Sequence, residues 1–149
     1  MRKTMAVVLA AAFAMLSFLG TASADPGALG DSKVTIHVPM RSDVSAQALS
    51  CAAGDLCVWR TGDGSSGRCS WTNRDNDWWF APTVCSWARS TPVRAVYNHG
   101  QGSYAGVCLY LEANYGGNVA YFFSQGEADT NYPNVIFRSH KWVTNGCWT

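Results

Sequence analysis

Six cysteines carry the clearest chemistry in this sequence: Cys51, Cys57, Cys69, Cys85, Cys108 and Cys147. An even number behind an export-type leader reads as disulfides. Each typically adds about 2–4 kcal/mol, largely by restricting the unfolded chain. Zinc is the competing chemistry, and the spacing argues against it: no C-x-x-C pair exists and the three histidines are scattered. No catalytic set assembles either. His99 sits in a Gly-rich connection and His140 on the last strands, with no nucleophile motif beside either. Asp75 and Asp77 are paired carboxylates, but alternate positions on a strand give no acid/base polarity by themselves. They read as solvated loop charge, and an enzyme is not expected.

Binding chemistry is better represented. Between Cys69 and Cys85 runs Trp71-Thr72-Asn73-Arg74-Asp75-Asn76-Asp77-Trp78-Trp79-Phe80, polar in the middle and aromatic at both ends. Trp71, Arg74, Asp75, Asp77, Trp78 and Trp79 are the candidate binding residues for a protein partner. The competing reading makes Trp78, Trp79 and Phe80 core. Three consecutive aromatics on a strand point to both faces, so at least one is exposed or covered by a loop. The chain has seven tryptophans, and exposed Trp faces are good stacking platforms. Trp71, Trp87 and Trp148 are therefore candidates for a glycan or cell-wall polymer.

These residues need a framework, and the chain divides into three parts. Residues 1–24 read as a secretion signal: Arg2 and Lys3, an apolar run from Met5 to Leu19, and Ala22-Ser23-Ala24 as the cleavage site. No later stretch is apolar enough to span a bilayer. Residues 25–50 hold no Trp, Tyr, Phe or Cys and read as a flexible extension or pro-segment, with Val34 to Val38 as a short strand lacking a core around it. Residues 51–149 are the domain. Losing Arg2 and Lys3 takes the formal charge from +1 to −1, so phosphate neutralisation and nucleic-acid binding are not expected. A single monomeric domain is the reading for a chain of this size.

Within the domain Leu56-Cys57-Val58-Trp59 recurs 51 positions later as Val107-Cys108-Leu109-Tyr110. Each copy is followed by a Gly-bearing corner and further apolar strands, Val93 to Tyr97 in one half, Val135 to Phe137 with Trp142-Val143 in the other. Two β units of about fifty residues joined near Asn98 to Ser103 predict a two-motif sandwich, since each unit alone leaves one apolar face wet. The second corner is the better formed. Val107 to Leu111 and Asn118 to Phe123 are strands, and Asn114, Gly116 and Gly117 tolerate the positive φ of a sharp fold-back. Tyr110, Tyr115 and Gly117 give aromatic, four residues, aromatic, one residue, Gly. On this reading Tyr110 lies flat over the hairpin and Gly117 lets ring and backbone approach. The first corner, ending at Gly67 after Trp59, has one residue more and no aromatic before the Gly, so a looser turn is expected there.

The Tyr110–Tyr115–Gly117 pattern resembles the signature of βγ-crystallin Greek-key motifs. The opening Cys51 to Cys57, then Val58-Trp59, and the later Asn114-Tyr115-Gly116-Gly117 together resemble the streptomycete inhibitors of thermolysin-type metalloproteases and the peptidase-inhibitor family named after them, over about Cys51 to Trp148. The resemblance implies an all-β, βγ-crystallin-like sandwich of two Greek-key units, stapled by disulfides, and a secreted inhibitor whose partner is an extracellular protease. It implies Cys51–Cys57 as the opening bridge; Cys69–Cys85 closing the aromatic loop and Cys108–Cys147 tying down the last strand complete the expected pairing. In the founding inhibitor the reactive segment is a small disulfide-closed loop, and no two cysteines here are four residues apart to close one. Crystallin-like domains also imply calcium, with Asp75, Asp77 and Ser90 as the nearest approach to ligands, short of the roughly six to eight oxygens the ion takes. A toxin built on a crystallin-like body is the remaining alternative.

Overall fold

The computed structural model describes residues 32–37, 49–130 and 135–149; the expected secretion signal and residues 25–31 and 38–48 lie outside them. Among the described residues eight strands form: Val34–His37 (β1), Leu56–Trp59 (β2), Cys69–Trp71 (β3), Ala95–Asn98 (β4), Gly106–Tyr110 (β5), Val119–Ser124 (β6), Ala128–Asp129 (β7) and Ser139–Val143 (β8). One sheet has the order β3-β2-β4-β7 and the other β1-β6-β5-β8. All neighbours are antiparallel except β1, which lies parallel to β6. No α-helix occurs among the described residues; the short 3-10 turns are Ser86–Arg89 and Ala113–Tyr115. The fold is the disulfide-stapled all-β sandwich that the sequence predicts.

The period-2 pattern explains the layering. In β2, Leu56 and Val58 point into the central core; in β5, Val107 and Leu109 do the same, meeting Trp71, Trp78, Val96, Phe123 and Phe137. The alternate residues point outward and are covered too. Cys57 and Trp59 pack with Leu49 and Ala95, and Cys108 and Tyr110 pack with Ala120, Val143 and Cys147. The repeated tetrapeptide thus places an apolar pair inside and a cysteine–aromatic pair outside in each unit. Burying one such large apolar side chain contributes about 1.5–3 kcal/mol. The bridges Cys51–Cys57 and Cys108–Cys147 close the two outer clusters, and Cys69–Cys85 closes the loop after β3.

The two units also exchange segments. β7, from the second half, pairs with β4 of the first sheet, while Asp75, from the first half, forms a bridge with His140 of β8. Val93 and Val135 bridge the halves as well. This return of a distant strand beside an earlier one is the Greek-key connection.

Two local expectations change. Of residues 25–50, the described ones sit on the sandwich: Val34–His37 is hydrogen-bonded along β6, and Leu49 is buried against Trp59. Packing therefore starts before Cys51. At the corners, the Tyr110 ring is not among the groups nearest Gly117. Tyr110 is fully buried, its hydroxyl donates to the Cys147 carbonyl at 2.6 Å, and Tyr115 meets its ring edge-on at 5.8 Å. A Cβ on Gly117 would find Glu112 Cγ at 3.6 Å, an ordinary contact, so its glycine is required by φ = 87° instead. Gly64, in the corner expected to be loose, also has positive φ (71°), and a Cβ there would come within 2.5 Å of Leu49 Cδ2. Ser65 donates from both its amide and its hydroxyl to Asp63 Oδ1, so this turn is ordered by its own polar side chains.

Candidate functional site

The segment from Cys69 to Cys85 is held at several points, each set by a residue type. After β3, Asp75 pairs with β8 through two backbone bonds to His140, at 3.1 and 2.9 Å. Its Oδ1 accepts the Asp77 amide at 2.9 Å, and Asp77 Oδ1 accepts the Trp79 amide at 3.2 Å. Aspartates two residues before an amide make such turns readily, and two in succession fold the chain tightly. Trp78 then buries completely, stacked on Trp71 at 4.5 Å. Its amide donates to the Arg138 carbonyl at 2.8 Å, and its carbonyl accepts the Cys85 amide at 2.7 Å.

Beneath the loop lies His140, fully buried. Trp78 Nε1 donates to its Nδ1 at 2.8 Å, so the ring proton is on Nε2, which lies 3.0 Å from the Asn73 carbonyl and donates to it. Burial lowers the pKa of this imidazole to about 3. It is neutral at ordinary pH and serves as a polar strut between two loop positions.

What this clamp presents is a protrusion, residues 79–84. Trp79 is half-buried, Phe80 is 59% exposed and Val84 53% exposed, with Ala81 and Pro82 exposed between them. Its base is closed by the Trp78–Cys85 bond and the Cys69–Cys85 bridge. Phe80 donates its amide to the Asp77 carbonyl at 3.0 Å. Arg89 donates to the Trp79 carbonyl, and its guanidinium lies 5.6 Å from the centre of the Phe80 ring. Arg138 grips Asp77 from the second unit and covers the Trp79 ring at 4.0 Å. The second unit's corner adds a further tie, since Asn114 donates its amide to the Asn76 carbonyl at 2.7 Å. Asn114 and Tyr115 both take positive φ there, 56° and 61°.

The candidate residues separate accordingly. Trp71 and Trp78 are core and unavailable to a partner. Asp75 is 3% exposed. Asp77 is engaged by Arg138, whose hydrogen bond holds the carboxyl below the usual carboxylate range. Arg74 is exposed, and Trp79 is half-buried beneath Arg138. For calcium, Arg138 occupies both oxygens of Asp77, and no group of three His, Cys, Asp or Glu side chains gathers among the described residues. Ser90 is exposed, its amide closing the Ser86–Arg89 turn. Of the glycan candidates, Trp71 is buried, Trp87 packs on the core, and Trp148 lies against Tyr110 with Lys33 over its ring at 5.0 Å.

Pro82, Thr83 and Val84, with the braces Arg89 and Arg138, are absent from the sequence reading. One signal was available: an apolar run interrupted by Pro82 cannot continue as an inner strand. Nothing local marks Arg138 as the partner of Asp77. Comparison with curated proteins finds no match. The sequence model of peptidase inhibitor family I36 matches residues 44–122, taking in the whole clamped loop and more than half of the chain. The protein belongs to peptidase inhibitor family I36.

Proposed function

We propose that the protein, once exported, inhibits an extracellular peptidase by presenting residues 79–84 to its cleft, and that the target is of the metalloprotease type implied by the resemblance to the streptomycete inhibitors. The observation that carries this reading is the pairing of two exposed apolar side chains, Phe80 and Val84, with a base closed by a disulfide and braced by two arginines. A segment ordered before binding loses little conformational entropy on docking, which reduces a cost of about 0.5–1.5 kcal/mol per side chain immobilised. If the peptidase cuts within 79–84, the bridge and the Trp78–Cys85 bond keep the new ends in place for religation. Phe80 enters the pocket for a large apolar residue, and no chemistry by the inhibitor itself is involved.

The test titrates the oxidised protein against thermolysin-type, serine and cysteine peptidases. Stoichiometric inhibition of the first class, weakened at least tenfold by Phe80→Asp with unfolding unchanged, is the expected result. A Phe80→Asp protein as potent as the parent would move the contact elsewhere, and inhibition of another class alone would overturn the metalloprotease assignment.

A further inference from the structure

A second surface has the features of a binding site and does not include Phe80 or Val84. A cleft of about 560 Å³ is lined by Thr72, Asn73, Arg74, Tyr104 and Trp142. That volume is in the range of small-ligand sites, about 300–1,000 Å³. A smaller cavity of about 200 Å³ shares Thr72, Tyr104 and Trp142 and extends past Gly100 and Gln101.

Its aromatic part is rigid. Trp142 and Tyr104 stack with centroids 5.9 Å apart and planes tilted by 29°. Trp142 is fixed from three directions: Nε1 donates to the Thr72 carbonyl at 3.0 Å, the buried His140 ring meets it edge-on at 6.5 Å, and Gly100 backs it so closely that any Cβ there would collide with the ring. Tyr104 remains 46% exposed. The polar part is uncommitted. Among the described residues the Asn73 side-chain amide, the Arg74 guanidinium and the Tyr104 hydroxyl have no hydrogen-bond partner, although the Asn73 backbone carbonyl is held by His140.

We propose that this cleft binds a glycan, specifically a pyranose polymer whose equatorial substituents leave flat C–H faces. Flat, electron-rich ring faces attract such C–H surfaces, and free amide, hydroxyl and guanidinium groups at the rim match sugar hydroxyls or acetamido groups. None of the five lining residues is aliphatic or carboxylate, so the cleft offers no greasy slot for a peptide side chain and no acid for a basic one. The residues differ from the tryptophans that composition suggests; exposure and a fixed ring select Tyr104 and Trp142.

The experiment is retention of the oxidised full-length secreted protein on microcrystalline cellulose, chitin and purified peptidoglycan, with thermal unfolding recorded in parallel. The parent should be retained on at least one polymer. Tyr104→Ala should weaken retention about tenfold, the loss of one good stacking contact, while Tyr104→Phe stays within about twofold because the ring is kept. Absence of retention on all three, or retention of Tyr104→Ala equal to the parent, would overturn the proposal. So would a Tyr104→Ala protein that loses peptidase inhibition while neither form binds polymer, which would make the cleft part of a protein interface.

Discussion

Arg138 reaches Asp77 with two prongs of its guanidinium, Nε to Oδ1 at 3.0 Å and Nη2 to Oδ2 at 2.7 Å, across 61 residues of sequence. The same group lies over Trp79 at 4.0 Å. One side chain from the second unit therefore braces a loop that belongs to the first. The pair is partly exposed, so its worth lies less in global stability than in holding the start of the protrusion in one conformation.

Arg138→Ala should lower stability only slightly, since the ion pair is solvent-screened and the cation–π contact is partly exposed. Arg138→Lys should recover the charge without the two-pronged geometry. If the 79–84 segment is the inhibitory one, both variants should lose inhibition more than stability, alanine the more. Urea unfolding and inhibition constants measured on the same preparations decide it.

His140 sets the acid sensitivity. Its folded pKa, about 3, is below the ordinary 6.5, so between these values the unfolded chain binds a proton that the folded one does not. Stability should be full above pH 6.5 and fall as the pH drops towards 3, by up to about 1.4 kcal/mol per unit. Asp77 acts in a lower window, its contribution being present above the ordinary carboxylate value of 3.8 and lost as pH falls through its depressed one. The check is urea unfolding at stepped pH, with His140→Gln expected to flatten the upper part of the profile. Ring nitrogen shifts of His140 should keep the neutral Nε2–H pattern down to about pH 4.

Removing the bridge at the loop base, with Cys69→Ser and Cys85→Ser together, should cost about 3 kcal/mol, the loop-entropy value for a closure of this length. Inhibition should fall further than stability alone accounts for, since the protrusion loses its covalent base. Full reduction of all three bridges should abolish the near-UV circular dichroism of the tryptophans. A reduced protein with an unchanged signal would show that the sandwich does not depend on them.

Gly117→Ala and Gly64→Ala should both destabilise by about 1–3 kcal/mol, because each residue has positive φ. The looser first corner that the sequence implies would have made Gly64 the tolerant one. The neighbours now predict the reverse order: Gly117 has ordinary space around it, whereas Gly64 is packed on Leu49. Denaturant unfolding of the two variants under oxidising conditions ranks them.

Much of the fold was legible because its signals are local. Leu56-Cys57-Val58-Trp59 and its copy at Val107 carry a two-residue period, and a pleated strand with that period has two faces whatever it packs against. The even set of cysteines implies bridges by the same local reasoning, and the family resemblance implied the first of them, Cys51–Cys57. The loop closed by Cys69 and Cys85 was legible as well, but not that Phe80 and Val84 protrude from it.

The sequence by itself determined the fold class, the two repeated units, the cysteine framework and the segment in which to look for a site. Only the tertiary structure decided which aromatics are available. Trp71, Trp78, Trp79 and Phe80 are chemically similar in sequence, yet the first two stack inside the sandwich, the third is covered by Arg138, and the fourth stands in solvent. Exposure depends on what approaches from elsewhere in the chain: β8 behind Asp75, Arg138 against Asp77, Thr72 and Gly100 around Trp142, and β1 along β6. Those partners are set by the crossing of two units and by contacts dozens of residues apart, and no local pattern of residue types encodes them.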